Sequence, residues 1–306
     1  MKDLLITFGC SWTEGVGVNY EPGMSFKEFK LHAKDQYSLD HYSFRNLLCN
    51  KYNLCNLNFA RGGSSNQTQF RTAEDFFSSD VFQRLRYKHK KILVLWGITS
   101  IFRNETFFTD TNQMKSFFYT NKSLLSKTIV SNHFDSQNEM NLISKKIDFW
   151  NKFFDLVEIK NLWFDTFNHH NYHDCIPEQV REEYQKYAGG QWPSWQKFKS
   201  GDFTDTPVHI QEEILDYSQW NFYQYFGKCG PKRLYMENNC PRDLLSQLAI
   251  KHGMTNVDTQ YHLSDWEVDS ERITFLVKLG ILNPYSHHPT KQGHVDIAEM
   301  LAPILS

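Results

Sequence analysis

A serine and a histidine near opposite ends of the chain have the residue types and the settings that nucleophilic catalysis uses. Ser11 follows the apolar run 4–8, within Gly-Cys-Ser-Trp-Thr-Glu-Gly at positions 9–15. This pattern predicts a strand that ends in a sharp turn, which would project the serine hydroxyl into a cleft. His288 precedes Pro289 and a predicted terminal helix. Because proline holds the residue before it in an extended conformation, His288 would have a fixed place from which to take the serine proton.

The segments around these residues alternate between strands and helices. Apolar runs that predict strands lie at 3–8, 53–59, 91–96 and 161–165. Apolar residues at helical spacing lie between them, at 43–52, 65–87 and 143–157. Such alternation is typical of a parallel sheet with right-handed crossovers. We therefore expect an α/β fold, a three-layer α/β/α sandwich with a parallel sheet of about five strands and with Ser11 at its carboxyl edge.

Two stretches interrupt this alternation within what we expect to be a single domain, 1–306. The smaller covers 103–137, and the larger, 168–255, is rich in glycine, proline and aromatic residues, which is typical of short helices and loops. Both would leave the sheet on the side of Ser11, so we expect a lid or substrate wall. The aromatic residues could instead form the core of the larger insertion, since about 70 residues must bury apolar surface to stay folded.

The order of the short motifs resembles that of the SGNH/GDSL hydrolases, with the departures of a divergent member. Gly9–Gly15 is similar to the first block of that family, Asn58–Ser65 to the second, and His288–His294 to the last, while Leu95–Ser100 lies where the third belongs. The blocks span nearly the whole chain. The resemblance implies a flavodoxin-like fold and a serine esterase, acetylesterase-like, that forms an acyl-enzyme on Ser11.

The resemblance also implies roles for the other site residues. His288 would be the general base, and the N–H groups of Ser11 and Gly63 would hold the oxyanion together with Thr99. Thr99 stands where the family has an asparagine, and Tyr285 stands where the family has the aspartate that orients the histidine. The threonine hydroxyl can still donate one hydrogen bond, but an orienting acid would have to come from elsewhere.

Two upstream acids are candidates for that orienting role. Asp265 or Asp269 could reach the histidine from another loop; otherwise a backbone carbonyl must orient the ring. Loss of this acid lowers turnover by about 10⁴ in the best-studied serine triad. An alternative is therefore a weak or inactive binding or accessory protein that recognises a glycan or a partner through its aromatic insertion. The candidates for substrate binding are Trp12, Arg103, Trp192 and Trp195.

A histidine-rich stretch provides a third hypothesis, a metal-dependent hydrolase. His169 and His173 would share one face of a helix, with His170 beside them, and imidazoles so placed could bind zinc or another transition metal. The stretch lacks the glutamate that follows the first histidine in metalloprotease helices. A polar loop near the rim of the site is the simpler interpretation, so we expect neither a metal nor a cofactor.

Composition limits the partners and the compartment. The 306 residues are 40% hydrophobic and 16% aromatic, enough for a large core. A net charge of −2 argues against nucleic-acid binding, so we expect a small-molecule or glycan ester as substrate. The six cysteines show no paired spacing, and no apolar run approaches the about 20 residues that cross a bilayer. We expect a cytoplasmic protein without a membrane partner; the oligomeric state stays open.

Overall fold

A parallel sheet lies at the centre of the described part of the chain. This computed structural model describes residues 2–32, 35–99, 103–108, 113–118, 136–166, 236–237, 240–241, 243–254 and 270–305. The strands are β1 (Leu4–Phe8), β2 (Cys55–Asn58), β3 (Ile92–Ile98), β4 (Arg103–Phe108), β5 (Gln113–Phe118), β6 (Lys160–Asp165), β7 (Met236–Glu237) and β8 (Cys240–Pro241). The helices are α1 (Ser11–Glu14), α2 (Phe26–His32), α3 (Gln36–Tyr42), α4 (Phe44–Tyr52), α5 (Asn66–Phe77), α6 (Asp80–Lys88), α7 (Ser136–Leu156), α8 (Leu244–Lys251), α9 (Ser270–Lys278) and α10 (Lys291–Leu305).

Four of these strands form the central sheet in the order β2-β1-β3-β6, and every pair is parallel. After β1, the chain adds β2 on one side of β1 and then crosses over to add β3 on the other side. The direction in which strands are added therefore reverses between β1 and β3. Open α/β sheets bind ligands at such a reversal, outside the carboxyl ends of the strands. The sequence predicted about five strands; the described residues contain four in this sheet, and a fifth stays a prediction.

Alternation along the strands explains why helices cover both faces of the sheet. Leu4, Ile6 and Phe8 pack in one hydrophobic cluster, whereas Leu5 packs in another. Successive side chains of a strand point to opposite faces, so a strand that is apolar throughout needs a cover on each side. The first cluster takes its helical residues from α5, α6 and α7. The second takes them from α1, α4, α8, α9 and α10, and these two layers enclose the sheet.

The long helix predicted at 65–87 is in fact two helices, α5 and α6. The break falls at Ser78 and Ser79, and the side chain of Ser79 accepts a hydrogen bond from the backbone N–H of Phe82 at the start of α6. Serine side chains compete for backbone groups in this way and favour helix starts over helix interiors. The helical period continued across the break, so periodicity alone did not reveal it.

The structure describes parts of both predicted insertions. In the smaller one, β4 and β5 form an antiparallel hairpin, and its Glu105 binds Arg71 of α5 with 2.6 Å between carboxylate oxygen and guanidinium nitrogen. In the larger one, α8 buries Leu244, Leu245 and Leu248 in the second core cluster, so the end of this segment packs against the sheet. Among the described helices, none combines the length and the apolar character that crossing a membrane requires.

Candidate active site

Ser11 and His288 are hydrogen-bonded to each other at the carboxyl end of β1. The distance from Ser11 Oγ to His288 Nε2 is 2.6 Å, although the two residues are 277 positions apart in the chain. Ser11 is 6% exposed. For the hydroxyl to donate to Nε2, the imidazole proton must lie on Nδ1. This is the contact that a hydroxyl nucleophile and its general base require.

The turn after β1 is a single helical turn that begins with the serine. Cys10 is extended and precedes α1, and Gly15 ends it in the left-handed conformation with its N–H bound to the carbonyl of Ser11. Thr13 packs directly against two glycines, because a Cβ on Gly9 or Gly97 would collide with its side chain. The ends of β1 and β3 therefore hold α1 close, and the serine stands at the point where the strand order reverses.

A buried asparagine shapes the loop that carries the histidine. The backbone N–H and the side-chain Nδ2 of Asn283 both donate to the carbonyl of His288, at 2.9 and 3.0 Å. Its Oδ1 accepts from the backbone N–H groups of Tyr285 and Ser286, at 3.1 and 2.8 Å. Sequence reasoning missed this residue. The signal available was the Asn-Pro pair at 283–284, which favours turn initiation.

Gly17 brings the serine turn and the histidine loop into backbone contact. Its φ is +107°, and a Cβ at this position would lie 2.8 Å from the Cβ of His288 and would collide with the carbonyl oxygen of Pro289. Glycine alone adopts this φ at no steric cost and leaves the space open. The short distance between the hydroxyl and the imidazole therefore depends on a residue without a side chain.

The environment of His288 keeps its imidazole neutral. Burial, and to a smaller extent the nearby Arg103 cation, lower the pKa from 6.5 to about 4. The backbone of Ser286 opposes this shift, but no group in the described part of the chain completes a hydrogen bond with Nδ1. We therefore take the Ser286 carbonyl to face the ring without a full hydrogen bond. The imidazole can accept a proton at neutral pH, but it is a weak base.

Among the described residues, no acid hydrogen-bonds to Nδ1 of His288, where an orienting carboxylate would act. The phenol of Tyr285 donates to the carbonyl of Met24 at 2.5 Å, and its ring packs against Phe26 and Phe29. Asp265 and Asp269 lie outside the described residues, so their orienting role stays a prediction. The loop contacts at Asn283 and Gly17 are what the structure offers to hold His288 in position.

Arg103 and Trp12 are both buried near Ser11, in different settings. Arg103, 8% exposed, is the first residue of β4 and hydrogen-bonds to the thiol of Cys10. Its cation therefore lies beside Cys10, the residue before Ser11, and lowers the pKa of His288. Trp12 is 2% exposed and belongs to the second core cluster. This placement favours a packing role for Trp12 over the substrate contact suggested by its position next to Ser11.

A glycine turn lies against Ser11. The N–H of Ser64 donates to the carbonyl of Arg61, and Gly63 has a φ of +80°, as in a type II turn with glycine in the third position. A Cβ on Gly62 would lie 3.6 Å from the Cβ of Ser11. Within the described residues, the N–H groups of Gly63 and Ser11 bind no acceptor. Both therefore keep a donor that the described residues do not use.

Thr99 follows β3 and is held by its backbone. Its N–H donates to Oδ1 of Asn66 at 2.9 Å, and its carbonyl accepts from Nδ2 of Asn66 at 2.8 Å. The buried hydroxyl of Thr99 has no hydrogen-bond partner in the described part of the chain, so it keeps a donor to offer. Asn66 was not foreseen, because its two bonds join segments that are distant in sequence.

The other candidates from the sequence cannot be placed. His169, His170, His173, Trp192 and Trp195 lie outside the described residues. Among the residues that the structure does describe, no group of three or more histidine, cysteine, aspartate or glutamate side chains is arranged to hold a metal ion. The metal hypothesis for the histidine-rich stretch therefore stays untested.

Comparison with known proteins adds little to this geometry. No protein-family model matches the chain, and no curated protein matches its sequence. One solved structure with some similarity is LAE5, an alpha/beta hydrolase enzyme from the metagenome of Lake Arreo, Spain. The two share 12% identity with a TM-score of 0.37, over 99% of this chain and 94% of that one. A TM-score this low carries no argument, so any functional assignment depends on the residues described above.

Proposed function

We propose that the protein is a serine hydrolase that cleaves an ester through an acyl-enzyme on Ser11. The observation that supports this most is the 2.6 Å contact between Ser11 Oγ and His288 Nε2. This contact lies at the carboxyl edge of the sheet, where the strand order reverses and α/β proteins bind their ligands. Buried polar pairs in such a position are candidates for function on physical grounds.

The proposed reaction has two stages. In the first, Ser11 Oγ attacks the ester carbonyl carbon while His288 Nε2 takes the hydroxyl proton, and the carbonyl oxygen becomes an oxyanion. The oxyanion collapses, the bond to the alkoxy oxygen breaks, and His288 returns the proton to the leaving alcohol. In the second, water gives a proton to His288 and attacks the acyl carbon; the bond from this carbon to Ser11 Oγ then breaks, and His288 returns the proton to Oγ, which releases the acid and regenerates the serine. No step needs a cofactor.

The oxyanion would be held by donors that the fold leaves unoccupied. These are the backbone N–H groups of Ser11 and Gly63, with the hydroxyl of Thr99 as a third donor. Such preorganised donors are a large source of catalysis, and the loss of one lowers kcat by about 10²- to 10³-fold. The availability of both N–H groups supports this assignment.

The SGNH/GDSL family is our proposal for the origin of this site. The strand order β2-β1-β3-β6 is compatible with a flavodoxin-like sheet. The spacing of the blocks around Ser11, Gly63 and His288 follows the order that this family has. We propose a small-molecule or glycan ester as the substrate, with Arg103 near enough to the pair to influence an acidic group on it.

Covalent labelling tests the nucleophile directly. A fluorophosphonate probe should label the folded wild-type protein at Ser11, and peptide mapping should identify the modified residue. Ser11→Ala should abolish the label, and His288→Ala should slow it strongly because the base is gone. Ser64→Ala is a matched control, since it removes a nearby serine hydroxyl outside the pair. Equal labelling of Ser11→Ala and wild type would rule out the proposal.

A second candidate is a fold of this type that binds without significant turnover. The favouring observations are the lowered pKa of His288 and an Nδ1 without a hydrogen-bond partner in the described part of the chain. Hydrolysis of a short activated ester separates the two functions. Turnover that is lost in both Ser11→Ala and His288→Ala supports the enzyme. Turnover no faster than the ester's spontaneous hydrolysis, with intact folding, supports the binding protein.

A further inference from the structure

Among the contacts around the nucleophile, one carboxylate has no role in the proposed reaction. Glu14 closes α1, three residues after Ser11, and its Oε2 accepts the backbone N–H of Gly62 at 2.6 Å. This is a charge-assisted hydrogen bond of short length, the stronger class of such bonds. It joins α1, which carries Ser11, to the glycine turn at 61–64. A side chain that connects these two turns can set their relative position.

We propose that Glu14 is a positioning residue that selects the N–H of Gly63 as the oxyanion donor. The proposal depends on the serine hydrolase function given above. The glycine turn has three consecutive backbone N–H groups at residues 62, 63 and 64. Glu14 occupies the first, and the carbonyl of Arg61 occupies the last at 3.1 Å. Of the three, only the N–H of Gly63 is then without an acceptor among the described residues. It follows Gly62, at which an added Cβ would lie 3.6 Å from the Cβ of Ser11.

The contacts of the turn explain why this bond matters for geometry. Before the glycines, the N–H of Arg61 donates to the carbonyl of Gly9, just after β1, at 3.2 Å. After them, the side chain of Asn66 makes two hydrogen bonds with the backbone of Thr99. Between these anchors, the bond from the N–H of Gly62 to Glu14, on the helix that carries Ser11, restricts rotation of the glycine peptides. An oxyanion donor must be placed to within a fraction of an ångström, so lost rotation becomes transition-state stabilisation.

The hydrogen bond, and not the negative charge, should carry the effect. A carboxylate near the oxyanion repels it, so the charge itself opposes catalysis. Glutamine has the same length and keeps an acceptor oxygen, but it is neutral. Glu14→Gln should therefore keep activity to within about threefold of wild type. Glu14→Ala leaves the N–H of Gly62 without its acceptor and should lower kcat by about 10- to 100-fold. This loss is smaller than the loss from deleting an oxyanion donor, which lowers kcat by about 10²- to 10³-fold.

The test measures kcat and KM for a short activated ester in wild type, Glu14→Ala and Glu14→Gln, with thermal unfolding of each. Glu28→Ala is the matched control, because Glu28 also accepts a backbone N–H, that of Ser25 at 2.7 Å, on an exposed helix. We expect Glu14→Ala to lower kcat with little change in KM or unfolding temperature. A boronic acid that forms a tetrahedral adduct on Ser11 should bind Glu14→Ala more weakly than wild type, in proportion to the loss in kcat. Wild-type kcat in Glu14→Ala, or equal losses in Glu14→Ala and Glu14→Gln, would overturn the proposal.

Hydrogen exchange keeps this test separate from the test of the hydrolase itself. The amide proton of Gly62 should exchange more slowly than that of Gly63 in wild type and in Ser11→Ala, and Glu14→Ala should remove the difference. If Ser11→Ala hydrolyses the ester like wild type, the hydrolase function fails whatever the exchange shows. If Ser11→Ala is inactive while Gly62 exchanges as fast as Gly63 in wild type, the role of Glu14 alone fails.

Discussion

Catalysis by Ser11 and His288 should persist to an unusually low pH. The proton acceptor must be the neutral imidazole, and its pKa is lowered from 6.5 to about 4 by burial and by the cation of Arg103. Activity is therefore lost only as the pH falls through about 4. At about pH 5.5, a pKa of about 4 leaves about 97% of the imidazole neutral, whereas an ordinary pKa of 6.5 leaves about 9%.

The same shift makes His288 a poor base. Lowering the pKa from 6.5 to about 4 corresponds to about 3 kcal/mol against the imidazolium that forms in the transition state. A nearby developing oxyanion recovers part of this energy, since opposite charges attract. We therefore expect slow turnover with a flat pH profile, a combination that a triad with an orienting acid would not show.

The assay is kcat/KM for a neutral activated ester between about pH 5.5 and 7.5, with far-UV circular dichroism at each pH to show that the protein is folded. The expected rate changes by less than about twofold on the acid side, after correction for spontaneous hydrolysis. A fall of about tenfold between pH 7.5 and 5.5 in folded protein would refute the reasoning, because it would place the pKa of the essential base near 6.5.

Three further predictions concern the surroundings of the pair. Arg103→Met removes the cation and should raise the pKa of His288, so the acid limb of the kcat/KM profile moves to higher pH, whereas Arg103→Lys should leave it in place. Gly17→Ala should lower both kcat and the urea concentration at the unfolding midpoint, because the added Cβ collides with the histidine loop. Gly23→Ala is the control: Gly23 has a similar positive φ but open space around it, so this variant shows the effect of backbone strain alone. The free energy of unfolding in urea should fall as the pH drops below 6.5, because His288 and His294 bind protons in the unfolded chain but not in the folded one. Burial lowers the pKa of His294 to about 3. Each histidine should change the free energy of unfolding by up to about 1.4 kcal/mol per pH unit. His294→Gln should reduce that slope, and an unchanged slope would contradict this assignment.

Local patterns carried much of the information about the fold. The apolar runs predicted β1, β3 and β6 because a strand buried on both faces must be apolar throughout. Glycines around Ser11 indicated a tight turn, and Pro289 indicated a rigid junction before α10. Interactions between near neighbours in the sequence determine these features, so a pattern of a few residues is sufficient to identify them. The break between α5 and α6 was missed because the helical period continued across it.

Contacts between distant segments determined the rest. The sequence by itself predicted that Ser11 is a nucleophile and His288 its base, but only the tertiary structure brought the two side chains to 2.6 Å, through the glycine contact at Gly17. It also placed Trp12 in the core and joined Glu14 to Gly62. The pKa of His288 depends on its burial and on the cation of Arg103, the first residue of β4. Burial and electrostatic fields are sums over the folded neighbourhood, so no local pattern in the chain could specify them.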